Sequence, residues 1–268
     1  MLLASFFGVV MGLVLGLTGA GGGILAVPAL VLGLGFSMTQ AAPVALFAVG
    51  SAAAVGALDG LRHGLVRYRA ALLIALLGAL FSPIGIYFAH QLPENILMVL
   101  FSLLMIMVAW RMLRRERQAQ GPSDHGHASW GQKNCMLDQQ TGRFSWTAKC
   151  TATLAALGAV TGVVSGLLGV GGGFLIVPAF KQLTDVQMRG IVATSLMVIS
   201  LISAIGVIGA FNAGVRIDDV GVAFIVASIV GMIIGRKLCA KVPARALQVG
   251  FASICVVLAA YLLLNAAL

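Results

Sequence analysis

Residues 12–29, GLVLGLTGAGGGILAVPA, recur as GVVSGLLGVGGGFLIVPA at 162–179, with twelve of the 18 positions identical. The offset of 150 then continues without a gap, placing Gly56 on Gly206, Gly64 on Gly214, Gly85 on Gly235, Pro93 on Pro243 and Phe101 on Phe251. Across 12–113 and 162–263 there are 25 identities in 102 positions. The chain is therefore one unit used twice, and any fold must accommodate both copies.

Each copy is strongly apolar. Of the 268 residues 60% are hydrophobic and 9% charged, and several runs approach or exceed the length of a membrane span. A soluble helical protein needs a polar face on each helix, and most of these runs have none. The chain reads as an all-α polytopic membrane protein with about 8–10 membrane segments. No Lys or Arg precedes Arg62, so the beginning does not read as a cleaved secretory signal.

Both copies parse alike. Segment a (about 2–18 and 150–168) runs into the glycine cluster, and segment b (about 24–36 and 174–183) is short. Segments c (about 41–60 and 191–211), d (about 70–90 and 218–238) and e (about 95–113 and 245–265) are each long enough to span. The organisation is a first membrane repeat at 1–113, a polar linker at 114–148 and a second membrane repeat at 149–268.

The basic residues orient these segments. Arg62, Arg67 and Arg69 lie between c and d of the first copy. Arg111, Arg114, Arg115, Arg117, Lys133, Arg143 and Lys149 surround the linker. In the second copy Lys181 and Arg189 lie between b and c, and Arg236, Lys237, Lys241 and Arg245 between d and e. Alternating crossings put sixteen of the 17 basic residues on one side and only Arg216 on the other. The positive-inside rule makes the crowded side cytoplasmic. The copies are then two inverted-topology repeats, with both termini on the outer face of the inner membrane and the linker cytoplasmic. The net charge of +9 thus reports orientation and lipid headgroups rather than nucleic acid.

Segment b covers under ~20 Å of a ~30 Å hydrocarbon core, so a and b are expected to form a broken or re-entrant pair turning at the glycines. Irregular backbone at membrane depth is tolerated where it is buried in protein or lines a cavity. Pro28 and Pro178 suit the first turn of the helix that follows, where a missing N–H costs nothing. Helix starts expose unpaired N–H groups that attract anions, and inverted-repeat transporters place such broken ends near the midplane. Two cradles are predicted around Gly19, Gly21, Gly22 and Gly23 and around Gly169, Gly171, Gly172 and Gly173, with Thr18 and Ser165 as added donors. The competing reading is close helix packing through small residues. It suits Gly12, Gly16, Gly162 and Gly166, spaced by four, better than the consecutive triples.

The box GAGGGILAVP, repeated as GVGGGFLIVP in a doubled four-to-five-segment unit, resembles the TauE/SafE family of sulfite and organosulfonate exporters. The resemblance covers nearly the whole chain outside the linker. It implies secondary transport of small sulfur-containing anions such as sulfite, thiosulfate or organosulfonates. In the family an Ala-Thr-Ser-like stretch opens segment c. Ala193, Thr194 and Ser195 match it, so Thr194 and Ser195 join the candidate site, whereas the first copy reads Pro43, Val44 and Ala45.

Asp59 and His63, four apart in GALDGLRHG, share a face if the helix persists and would suit proton coupling. The favoured reading is that they anchor the helix at the interface and pair locally, because Gly60 and Gly64 suggest that the helix ends here. His125 and His127, near Asp124 and Cys135, are expected in an exposed linker and not at a metal. None of the four cysteines forms a CxxC, so no disulfide framework is expected. No Walker-type loop is present, so no nucleotide or other cofactor is called for, and the chain reads as a carrier rather than an enzyme. A passive anion channel and an intramembrane enzyme are the alternatives. The sequence carries no signal of oligomeric state.

Overall fold

A computed structural model describes residues 1–19, 21–118, 147–170, 172–184, 188–212, 218–238 and 244–267. These residues form ten helices. In the first half they are α1 (Leu2–Thr18), α2 (Gly21–Leu34), α3 (Met38–Arg62), α4 (Tyr68–Gln91) and α5 (Glu94–Gln118). In the second they are α6 (Ala148–Leu168), α7 (Gly173–Leu183), α8 (Met188–Asn212), α9 (Asp219–Leu238) and α10 (Ala244–Ala267). All but residues 114–118 and 147–148 of the 114–148 linker, including the histidines of HGH, lie outside the described residues.

Among the described residues five helices are long and apolar enough to cross a membrane: those at Gln40–Arg62, Tyr68–Ala89, Ala148–Leu168, Arg189–Phe211 and Asp219–Leu238. Their outer faces agree. Leu72, Leu76 and Leu80 are exposed at helical spacing on α4, and the repeat-equivalent Val222, Val226 and Val230 are exposed on α9. Such contiguous apolar ridges suit lipid rather than water. The molecule is a multi-pass membrane protein.

The halves interlock instead of standing side by side. α1 packs along α9 and α6 along α4, each pair joining one half to the other. Both seams are made by small residues at spacing four, as the glycine pattern predicts. A methyl on Gly12 would strike the Ser228 carbonyl, and Gly8 and Gly16 meet Phe224 and Met232 in the same way. On the other seam Gly158, Gly162 and Gly166 meet Ile74, Gly78 and Ser82, which are the repeat-equivalents of those three partners. Both pairs run parallel.

At the centre α3 crosses α8, and here the direction reverses. Gly60 faces Ala193, Gly56 faces Leu196, Gly50 faces Ser203, and Leu46 faces Gly206. Since α3 and α8 are the same element of the repeat, equivalent helices run antiparallel. Around this crossing lies the larger buried cluster, including Leu15, Ile24, Val49, Leu196 and Ile199. A smaller one, with Ile74, Leu154, Ile176 and Ile202, sits under α4, α6, α7 and α8.

Three sequence expectations need correction. Gly21, Gly22 and Gly23 form the first turn of α2, so the turn between α1 and α2 is shorter than the glycine cluster. Pro28 and Pro178 consequently lie inside α2 and α7, beyond the first turn, because each helix begins within its own glycine box. Cys150, fully buried on α6, is disulfide-bonded to a residue outside the described ones. With no short cysteine spacing in the chain, the sequence held no sign of that bridge.

Candidate substrate site at the two glycine turns

α1 ends where Gly19 adopts the left-handed conformation (φ 75°) and its N–H closes on the Leu15 carbonyl at 2.8 Å. α6 ends identically at Gly169 (φ 68°), with its N–H on the Ser165 carbonyl at 2.8 Å. A side chain at either position would be strained in its backbone and would collide with the opposite half. Gly19 lies against Val192 of α8, and Gly169 against Ala42 of α3, the repeat-equivalent residue. Each turn is therefore seated on the first segment of the other half's central helix.

From these seats the short helices start inward. A methyl on Gly23 would come 2.8 Å from the Val170 carbonyl and 3.4 Å from Val49. Gly173, its equivalent, rests on Ile199. Gly50 and Ser203 mark the middle of the α3–α8 crossing, and Val49 and Ile199 lie within a turn of them. The first turns of α2 and α7 thus adjoin the midpoint of the central pair, and α2 touches the second glycine box. Amide groups at each helix start lack an α-helical acceptor, so each start carries positive partial charge, although in α7 the Leu175 N–H donates to the Gly172 carbonyl at 3.2 Å.

The glycines nearest α1 and α6 do different work. Gly22 is pressed on the backbone of Leu15, and a methyl on Gly172 (φ 64°) would lie 2.8 Å from the Thr161 carbonyl. These positions permit close packing of the short helix on its predecessor. Gly171 lies outside the described residues.

The hydroxyls divide likewise. Thr18 Oγ1 donates to the Val14 carbonyl at 2.8 Å, within its own helix. Ser165 is buried at the end of α6. Ser195 Oγ shares its proton between the Val192 carbonyl of its own helix at 2.8 Å and the Gly19 carbonyl at 3.1 Å, the second linking the first turn to α8. Thr194 Oγ1 donates to the Gly190 carbonyl at 2.7 Å and accepts the Arg67 backbone N–H at 3.1 Å. Thr194 and Ser195 therefore each fasten a piece of the first half to the second.

Asp59 and His63 stand at the C-terminal end of α3. His63 Nδ1 is 2.8 Å from the Asp59 carbonyl oxygen and 3.5 Å from its carboxylate, and the imidazole is largely exposed. The stronger partner is Arg236 of α9, whose Nε donates to Asp59 Oδ2 at 2.6 Å. Sequence reading counted Arg236 and Arg67 only as orientation signals, since nothing in one dimension brings α9 or α4 to that place. Among the described residues no group of His, Cys, Asp or Glu is arranged to hold a metal.

A buried crossing of helices, flanked by two short glycine-led helices and clothed in exposed apolar ridges, defines a multi-pass helical membrane protein. The chain belongs to the sulfite exporter TauE/SafE family, whose model matches residues 4–262. It is similar to a probable membrane transporter protein of Xylella fastidiosa strain 9a5c, 29% identical over 235 residues that cover 87% of this chain and 83% of that protein. It is also similar to the probable membrane transporter protein YunE of Bacillus subtilis strain 168, 27% identical over 209 residues, 74% of this chain and 75% of that one. No solved structure matches.

Proposed function

We propose that this chain is a secondary transporter exporting a small sulfur-containing oxyanion, such as sulfite, thiosulfate or an organosulfonate, by alternating access. The observation that carries the reading is that the α2 first turn lies at Gly23 against Val170 of the second glycine box and Val49 of α3, while Gly173 of α7 lies on Ile199 of α8, both near the middle of the α3–α8 crossing. In this reading anion-directed amides of the two helix starts hold the substrate there, with Gly23 and Gly173 the candidate glycines nearest the crossing, while Gly22 and Gly172 pack each short helix on its predecessor. The antiparallel course of α3 and α8 supports an inverted-topology pair of repeats. Such a pair offers two related arrangements, one opening each way, which is what alternating access requires.

In this reading the crowded basic side is cytoplasmic, the linker lies there, and both termini face outward across the inner membrane. Arg236 and Asp59 then close the inner end of the bundle. Asp59 and His63 are the candidates for proton coupling.

Flux in proteoliposomes tests the proposal. Sulfite, thiosulfate and a small alkanesulfonate should be carried with saturation and counterflow, and chloride and acetate should be poor competitors. Flux linear in concentration without counterflow would make the protein a channel. Chemical turnover of the anion in detergent would make it an enzyme.

A further inference from the structure

Arg67 begins α4 as its N-terminal cap residue, yet its side chain makes no capping bond. A cation at this end of a helix opposes the helix dipole, so the position is not explained by helix stability. The side chain is half-buried, and its Nε is out of contact with solvent and has no hydrogen-bond partner. Leaving a guanidinium donor buried and unpaired is costly, and among the described residues no carboxylate pairs with Arg67. Asp59, the acidic group in this region, is taken by Arg236.

The backbone here is held firmly. Arg67 N–H donates to Thr194 Oγ1 at 3.1 Å, and Val66 packs at Gly60 beside Ala193. The next residue on α8, Ser195, holds the Gly19 carbonyl at 3.1 Å. The backbone of Arg67, whose Nε is short of an acceptor, is thus tied to the residue next to the one that holds the first glycine turn. The repeat has no such arrangement at its other end, where the equivalents of Arg67, Thr194 and Ser195 are Ile217, Val44 and Ala45. Architecture alone does not require it, since the second copy folds without it.

We infer that Arg67 is a binding residue for the transported oxyanion at the mouth where α4 begins. A guanidinium matches two oxygens of a sulfur oxyanion with parallel N–H bonds, and it stays charged at every relevant pH. The inference rests on the anion-transport reading above and adds an entry site at one mouth only. In the proposed orientation that mouth is cytoplasmic, where an exporter must collect its substrate.

The test compares sulfite transport by wild type, Arg67→Gln, Arg67→Lys and Arg69→Gln in proteoliposomes, with thermal midpoints in detergent. Arg67→Gln should raise the KM for sulfite by about tenfold or more, the loss expected for a charge-assisted bond. Its midpoint should stay equal or rise, since a buried unpaired donor is removed. Arg67→Lys should raise KM less, and Arg69→Gln, at an exposed neighbour, should leave it unchanged. A lowered midpoint with KM within twofold of wild type would give Arg67 a structural role and overturn the inference. Should Arg67→Gln fail to reach the membrane, an unchanged KM for Arg67→Lys overturns it equally. A wild type that carries no sulfur oxyanion would instead remove the transport reading beneath it.

Discussion

Arg236 Nε lies 2.6 Å from Asp59 Oδ2, joining α9 of one half to α3 of the other. Their repeat-equivalents are Ile86 and Gly209, so the ion pair closes one end of the bundle and has no twin at the other. Both side chains are partly exposed, 21% for Arg236 and 47% for Asp59, so the pair contributes at most ~1 kcal/mol to stability. In the proposed alternating-access mechanism the pair holds one arrangement of the halves. Asp59→Asn and Arg236→Gln should each change the transport rate several-fold with little loss of thermal stability. The exchange of both charges, Asp59→Arg with Arg236→Asp, should recover most of the rate. Additive losses in the double variant, measured in proteoliposomes, would show that the two residues act separately.

The seams should be the most sensitive part of the fold. Gly12→Ala places a methyl in the Ser228 carbonyl and should cost ~2 kcal/mol or more, whereas Gly209→Ala, with open space around it, should be neutral or stabilising. Thermal unfolding in detergent separates the two. Equal midpoints would mean that α1 and α9 do not approach as closely as described.

Ser195 tests the seat of the first turn. Ser195→Ala removes the bond to the Gly19 carbonyl and should cost ~1 kcal/mol, with a larger proportional loss of transport. Transport that falls no further than the folded fraction would reduce the serine to a structural fastener.

Gly173 separates packing from binding better than Gly22 does. A methyl on Gly22 runs into the Leu15 backbone, whereas one on Gly173 meets only side-chain atoms, Cδ1 and Cγ1 of the buried Ile199, which can give way by a change of rotamer. Gly173→Ala should therefore reach the membrane folded and still lose about tenfold or more in transport, as expected when amide contacts to a charged ligand are disturbed. Full activity would turn the second box into a packing surface.

Most of the helical layout was legible in one dimension. The five-segment parse agrees with α1 to α5 and α6 to α10 within a few residues, because apolar length and the 150-residue repeat both constrain it. The seams were legible too, since Gly12, Gly16, Gly162 and Gly166 repeat at one helical face. The start of α2 was placed three residues late because glycine has low helix propensity, and packing on Leu15 overrides that preference. The partners of Asp59 and Arg67 were hidden for a different reason. Arg236 and Thr194 lie 177 and 127 residues away, and only the interlocking of the halves brings them near.

The central claim is that two like halves are threaded through the bilayer in opposite senses. Tyr68 and Asp218 are repeat-equivalent, exposed residues at the starts of α4 and α9. Single cysteines placed there, in a background lacking the native ones, should be labelled by an impermeant maleimide from opposite faces of oriented vesicles, Tyr68→Cys from the cytoplasmic face and Asp218→Cys from the outer one. Labelling of both from the same face would contradict the account.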